Sequence, residues 1–148
     1  MTAASSLAAI LESVPPRLAS ISDSEAAYRS AAERWSKKEI LGHLIDSAAN
    51  NHQRFVRAQL APRLEFPGYE QESWVRSQAY AGEPWADLVN LWLQLNRHLL
   101  HILHAMPETV LSHECAIGSG PPVSLAALID DYVGHLQHHL DQVFTASS

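Results

Sequence analysis

The sequence lacks several features that would place it in a specialised class. It has one cysteine, Cys115, among 148 residues, so it cannot form an internal disulfide. It contains no apolar run of about 18 residues, the length that a membrane-spanning helix needs. No basic segment precedes the short apolar stretch near its start, which does not fit a secretory signal peptide. We therefore expect a cytoplasmic protein without a membrane partner.

Basic residues are also scarce. The chain has 10 Lys and Arg against 16 Asp and Glu, which gives a formal net charge of −6. Binding to nucleic acid requires clustered basic side chains that neutralise phosphates, so we expect no nucleic-acid partner. The hydrophobic content of 47% and the length predict a single globular domain over residues 1–148 with a substantial core.

Strand-type alternation is weak, whereas helical periodicity is strong. Long helices are predicted over residues 5–20, 36–60, 84–106 and 124–144, with a short helical piece over 70–80 and a connection over 22–35. Pro15 and Pro16 are expected to kink or restart the first helix. Ser36 and Glu39 fit a capping box at the start of the second. The sequence predicts an all-α fold, a four-helix bundle with a short accessory helix.

Histidine is abundant, with nine in the chain. His135 and His139 are four residues apart on the last predicted helix, so two imidazoles on one face can converge on one metal ion. His138 lies on a neighbouring line of that helix. A surface pair with no ligand would show the same spacing, so periodicity alone leaves both readings open.

A polar stripe on the second predicted helix contains a further histidine, His43. Helical spacing places it in one sector, beside the apolar face, with Glu39, Asp46, Ser47, Asn50 and Arg54. The stripe is compatible with a polar cleft at the edge of the bundle and with an ordinary solvated face. On the fourth predicted segment, residues 98, 101 and 104 are also histidines, but steps of three drift across the helix surface and do not predict a second metal site.

Two motifs at opposite ends of the chain resemble those of one known family. The run from Trp35 to Asp46, W-S-K-K-E-I-L-G-H-L-I-D, resembles the segment W-S-x-x-E-x-x-x-H-L-x-D of the DinB-like (YfiT-like) family, with Arg54 beyond it. The run from His135 to Gln142, H-L-Q-H-H-L-D-Q, resembles its segment H-x-x-H-H-x-x-Q. Their order and separation also match, so the resemblance covers essentially the whole chain.

The resemblance implies a four-helix bundle that binds one divalent metal ion, zinc or nickel, through His43, His135 and His139. The best understood members of the family are S-transferases and isomerases that depend on bacillithiol, mycothiol or glutathione. Others are described as metal-dependent hydrolases. The chain is therefore predicted to be a metal-dependent thiol S-transferase that acts on a small electrophile, with a low-molecular-weight thiol as a partner.

Three further residues are assigned candidate roles. Asp46, less than one turn from His43, is a candidate catalytic residue that would orient an imidazole or accept a proton. Arg54 and Gln142 are candidate substrate-binding residues, and Arg54 would meet a substrate carboxylate. For all three, a solvated polar surface is the alternative.

Alternative functions remain open from the sequence. One is a metal-dependent hydrolase, and another is a non-enzymatic metal-binding protein of the stress response. A homodimer is also expected from the exposed helix faces. The tryptophans are expected to pack in the core, Cys115 to be a bystander, and the segment around Tyr69, Glu72 and Trp74 to lie near the mouth of a pocket.

Overall fold

The computed structural model describes residues 1–145 and is dominated by helices. They are α1 (Ala3–Ala19), α2 (Asp23–Ala27), α3 (Lys37–Ala58), α4 (Gln71–Gln78), α5 (Trp85–Ala105) and α6 (Leu125–Thr145). Turns of 3₁₀ helix follow α4 at Tyr80–Gly82 and α5 at Glu108–Val110. The four long helices, α1, α3, α5 and α6, form the predicted bundle, and α4 is the predicted accessory helix.

Helix α3 is the element around which the bundle is organised. It packs against both α5 and α6, and α1 closes the other side by packing against the same two helices. Fully buried side chains such as Leu44, Phe55, Trp92 and Leu136 fill the space between them. Burying apolar area of this kind stabilises a fold by about 25 cal/mol per Å², so the core fixes how α3 and α6 face each other.

Helix α1 is not restarted at its prolines, which was one of the two outcomes expected from the sequence. Pro15 and Pro16 lie inside it, yet the helix continues without a break from Ala3 to Ala19. Its apolar side chains, including Leu7 and Leu18, are buried in the core on both sides of the prolines. Packing therefore holds the two halves of α1 in one helix although proline removes backbone donors.

The predicted capping box at the start of α3 is confirmed. The backbone nitrogen of Glu39 donates to the hydroxyl of Ser36 at 3.2 Å, and the backbone nitrogen of Ser36 donates to the Glu39 carboxylate at 3.0 Å. Arg29 also donates two hydrogen bonds to that carboxylate, at 2.8 and 2.5 Å. These bonds satisfy free backbone donors and fix where α3 begins, at Lys37, six residues before His43.

A small sheet was not predicted from the sequence. Strands β1 (Arg63–Phe66), β2 (Glu114–Ile117) and β3 (Val123–Ser124) lie in the order β1-β2-β3, with β1 parallel to β2 and β2 antiparallel to β3. Strands of four and two residues are too short to show a period of two. Cys115 is buried in β2, and burial raises the pKa of its thiol, which disfavours a reactive thiolate.

A search of the helices within residues 1–145 finds none that combines the length and the apolar character required to span a membrane.

Candidate metal centre

Three histidines from two helices meet where α3 packs against α6. His43 projects from α3 and is fully buried, whereas His135 and His139 project from α6 and are partly buried. Each of the three has a ring nitrogen within 4.8 Å of a nitrogen of both others. The Nε2 atoms of His43 and His135 are 3.1 Å apart. The packing of α3 on α6 thus brings together residues separated by 92 positions in the sequence.

The spacing of these nitrogens fits a shared divalent ion. Two imidazole nitrogens that each lie about 2.0–2.1 Å from a tetrahedral ion are about 3.3 Å from each other. The 3.1 Å separation between His43 and His135 is close to that value, and the third histidine offers a nitrogen within 4.8 Å of both. Within residues 1–145, this is the one group of three or more potential ligand side chains with atoms so close together.

The electrostatics of the cluster favour neutral imidazoles, the form that binds metal. Burial, together with the neighbouring His135 and His139, lowers the pKa of His43 to about 4. Burial and the neighbouring His139 and His138 likewise lower the pKa of His135 to about 4. Both rings therefore offer lone pairs at neutral pH without having to release a proton.

A hydrogen bond to Gln142 orients His139. Nδ1 of His139 lies 2.8 Å from Oε1 of Gln142. An amide oxygen can only accept, so Nδ1 carries the proton and Nε2 keeps a lone pair that can bind a metal ion. The amide nitrogen of Gln142 lies 3.4 Å from Nε2 of His138, which is exposed and outside the three-histidine group.

His43 is held by packing. Its Nδ1 is buried and has no hydrogen-bond partner within residues 1–145. The ring of Trp35 lies against it, with the two centroids 5.2 Å apart. Trp35 therefore forms a wall of the site, although it was expected to pack in the core. Trp85 and Trp92 do pack in the core, with 4% and 0% of their surface exposed.

The polar stripe of α3 is not a solvated face. Glu39, His43, Asp46, Ser47 and Arg54 are all at least nine-tenths buried, and Asn50 is half-buried. Periodicity could not distinguish these cases because α4 and the loop before it, which cover the stripe, lie far along the chain. The solvated alternative for Asp46 and Arg54 is therefore wrong.

Asp46 serves as an anchor for the segment that follows α4. Its Oδ1 accepts hydrogen bonds from the hydroxyl of Tyr80 at 2.6 Å and from Nε2 of Gln78 at 2.7 Å. No hydrogen bond links it to His43 within the described chain. The ring of Tyr80 lies so close to α3 at Gly42 that a Cβ added there would be 2.2 Å from it. Sequence spacing gave no signal for this contact.

Two cavities border the cluster. One, of about 340 Å³, is lined by His135, Arg54 and Tyr69 among others. The other, of about 560 Å³, is lined by Trp35, Glu72 and Gln142 among others. The residues expected near a pocket mouth thus lie on both sides of the cluster: Tyr69 lines the first cavity and Glu72 the second, while Trp74 is 38% exposed and packs on Tyr69.

The remaining histidines of α5 lie elsewhere. His98 faces His52 with ring centroids 5.3 Å apart and stacks on His101 at 6.4 Å. They do not form a three-ligand group in the described part of the chain.

Comparison with known proteins identifies the family. The sequence model of the DinB superfamily matches residues 7–143, nearly the whole chain. The chain belongs to the DinB superfamily. A relative from Oceanobacillus iheyensis, provisionally named a metal-dependent hydrolase, is 22% identical over 129 residues, which cover 87% of this chain and 74% of that protein.

Two solved structures share the fold of this chain. YfiT from Bacillus subtilis, an unusual four-helix bundle provisionally assigned as a metal-dependent hydrolase, matches with a TM-score of 0.79 at 18% identity, over 95% of this chain and 83% of that one. The mycothiol-dependent maleylpyruvate isomerase matches with a TM-score of 0.76 at 14% identity, over 99% of this chain and 61% of that one. At such identities, the matches establish that the chain has the fold of these two proteins.

Proposed function

We propose that this DinB-superfamily chain is a metal-dependent enzyme that activates a low-molecular-weight thiol for attack on a small electrophile, a thiol S-transferase. The observation that carries the proposal is the convergence of the His43, His135 and His139 nitrogens within 4.8 Å. Three protein ligands are typical of catalytic sites, which keep a position open for substrate, whereas structural zinc sites are closed by four.

The chemistry supplied by the site depends on the ion. A bound zinc or nickel ion acts as a Lewis acid, which lowers the pKa of a coordinating thiol or water. The residues around the ion orient its ligands and limit the access of water. Gln142 holds the tautomer of His139 that presents Nε2, and the burial of His43 keeps bulk water from that side of the cluster.

We assign Asp46 a positioning role. Its Oδ1 is occupied by Tyr80 and Gln78, and these contacts fix the segment that covers the buried stripe of α3. Gln142 likewise supports a ligand by its contact with His139, and substrate contact through the cavity that it lines would be a second role.

One of the compared proteins favours thiol transfer, and two favour hydrolysis. Among the solved structures of the same fold is an isomerase that depends on mycothiol. The relative from Oceanobacillus iheyensis and YfiT are provisionally assigned as metal-dependent hydrolases, so hydrolysis at the same site is the second candidate. Both candidates require the same three histidines.

The experiment that tests the proposal compares thiols and water as nucleophiles. The purified chain, loaded with zinc or nickel, is assayed with an aryl halide and an epoxide in the presence of bacillithiol, mycothiol or glutathione. A panel of esters and amides is assayed without thiol. His43→Ala tests dependence on the cluster, and His98→Ala, which alters an exposed histidine of α5, is the matched control.

The three possible outcomes each support a different candidate function. Turnover that requires a thiol, is lost in His43→Ala and is kept in His98→Ala supports the transferase. Ester or amide cleavage without thiol, with the same response to the variants, supports the hydrolase. A fully loaded site with no turnover on either panel favours a non-enzymatic metal-binding protein.

A further inference from the structure

Arg54, in the last two turns of α3, is a buried cation without a counter-ion. Its side chain belongs to a residue that is 8% exposed. The ion pairs within residues 1–145 lie elsewhere, and Arg54 makes neither an ion pair nor a hydrogen bond to any residue of that part of the chain. The ring of Tyr69 faces the guanidinium, and its centroid is 5.9 Å from the guanidinium carbon.

The guanidinium nitrogens are not among the fully enclosed unpaired atoms of residues 1–145, so the side chain is largely buried but its donors remain open to an adjoining space. Burial lowers the pKa of Arg54, but an arginine remains protonated at neutral pH. A largely buried cation that forms no ion pair and keeps its donors open is typical of a binding site.

The guanidinium borders the cavity that also reaches the three-histidine cluster. This cavity of about 340 Å³ is lined by Arg54 and by His135. Between them, Ser47, Asn51 and Tyr69 contribute polar groups to its wall. An acidic residue, Asp131, also lines the cavity, but no ion pair forms between it and Arg54. The cavity thus offers an unpaired cation at one place and a metal-ligand candidate at another.

We propose that Arg54 binds a carboxylate of the molecule that reacts at the three-histidine cluster. The planar, five-donor guanidinium matches a carboxylate in a bidentate pair, which a neutral amide of the same shape cannot form. This inference rests on the proposed function for the identity of the reacting centre, but the carboxylate preference itself does not require turnover.

The position of Arg54 also constrains the shape of that molecule. Arg54 follows His43 by eleven residues, which is roughly 16 Å along a helix axis at a rise of 1.5 Å per residue. Side chains on a helix lean towards its N-terminus, so the guanidinium leans back towards the cluster. The carboxylate and the reacting atom are therefore separated by several bonds, as in an extended acid. The carboxylate belongs either to the thiol or to the electrophile.

The first test measures binding in metal-free protein. The chain in excess chelator is titrated by NMR with 4-phenylbutyrate and, separately, with 4-phenylbutyramide, which has the same shape without charge. Wild type is expected to bind the acid roughly 10- to 100-fold more tightly than the amide, the range for a charge-assisted pair. Arg54→Gln is expected to abolish this preference.

The matched control is Arg57→Gln on the same helix. Arg57 is exposed and donates to Gln53 at 3.0 Å, so its loss changes the net charge equally without touching the cavity of His135 and Arg54. It is expected to keep the preference. Equal affinity for acid and amide in wild type, or a preference that survives in Arg54→Gln, would overturn the proposal.

A conservative variant covers a failure of Arg54→Gln to fold, which circular dichroism would reveal. Arg54→Lys keeps the charge but replaces the fork by a single ammonium, so the preference for the acid is expected to fall without disappearing. If Arg54→Lys binds acid and amide with the wild-type ratio, the bidentate pairing proposed here is wrong.

A second test locates the carboxylate in the reaction. In metal-loaded enzyme, glutathione is compared with cysteamine, which lacks a carboxylate, and an acidic electrophile is compared with its amide. If the lower KM that depends on Arg54 is lost when the thiol lacks its carboxylate, the thiol carries the group that Arg54 binds. If it is lost when the electrophile is replaced by its amide, the electrophile carries that group. If the chain turns over neither panel while metal-free protein still prefers the acid through Arg54, the proposed function fails and the carboxylate site stands.

Discussion

Nδ1 of His139 lies 2.8 Å from Oε1 of Gln142, one turn further along α6. This bond sets the tautomer of a ligand candidate from within the same helix. We expect Gln142→Leu to weaken binding of zinc or nickel about 10- to 100-fold, the usual cost of losing a group that orients a metal-binding histidine. Competition with a chromophoric chelator measures this affinity.

A control for this variant is Gln137, which lies between His135 and His139 in the sequence but on the opposite side of α6. Gln137 is exposed, and its amide donates to Asp141 at 2.9 Å. Gln137→Leu is expected to leave metal affinity unchanged. Equal loss of affinity in both variants would show that the effect comes from α6 as a whole and not from the tautomer of His139.

Metal content by mass spectrometry tests the ligand set directly. We expect about one divalent ion per chain in wild type and less than a tenth of that in His43→Ala, His135→Ala or His139→Ala, because two remaining histidines hold an ion weakly. His98→Ala and His138→Ala are expected to retain the ion. A folded wild type that takes up neither zinc nor nickel would contradict the assignment.

The contact between Gly42 and Tyr80 predicts a large effect of one methyl group. A Cβ at Gly42 would be 2.2 Å from the Tyr80 ring, so Gly42→Ala must displace that ring and its hydrogen bond to Asp46. We expect the free energy of unfolding to fall by about 1–3 kcal/mol, the usual cost of overpacking. Urea denaturation of the metal-free protein measures it.

Gly134 provides the opposite case. It lies within α6, and a Cβ added there meets nothing within 4 Å. Gly134→Ala is expected to raise the free energy of unfolding by about 0.5–1 kcal/mol through helix propensity. If both alanines lowered the free energy of unfolding to the same extent, the effect at Gly42 would not come from its contact with the Tyr80 ring.

The buried carboxyl of Asp46 predicts a pH dependence of stability. Burial raises its pKa above the ordinary 3.8, although the bonds from Tyr80 and Gln78 act in the other direction. As the pH rises above about 3.8, the unfolded chain therefore loses this proton before the folded one, and the contribution of Asp46 to stability falls until its folded pKa is passed. Asp46→Asn cannot ionise but keeps an oxygen that accepts both bonds.

The measurement is the difference in unfolding free energy between Asp46→Asn and wild type across a pH series. We expect wild type to lose stability relative to the variant as the pH rises through this window. The slope of the difference carries the information, because any constant cost of the buried amide cancels from it. A difference that does not vary with pH, or that changes in the opposite sense, contradicts the raised pKa of Asp46.

Local signals in the sequence predicted most of the helical fold. The capping box of Ser36 and Glu39 fixed the start of α3, and apolar periodicity located the four long helices within a few residues. The errors were in features that depend on distant partners. Tertiary packing of Leu7 and Leu18 overrides the two prolines of α1, and β1 and β2 form only because two remote short segments pair.

The candidate site divides in the same way. The spacing of His135 and His139 could be recognised locally, and the family motif supplied His43. Whether the stripe of α3 was buried depended on α4 and on Tyr69, which periodicity does not relate to α3. The contact of Asp46 with Tyr80 had no signal in the sequence, and it supports the positioning role that we propose for Asp46.

The parallel pairing of β1 with β2 has a consequence for the order of folding. It joins Phe66 to Ile117 and so closes a loop that contains α4 and α5. Closing such a loop costs chain entropy, and this cost is offset only once the long-range contacts have formed. Helices, in contrast, form from neighbouring residues in about a microsecond. We expect the bundle to assemble first and the strands to pair last. The wall of the Arg54 cavity that includes Ile117 would then be completed in the final step, so a chain caught before it would already hold its histidines together but would not yet discriminate among acids.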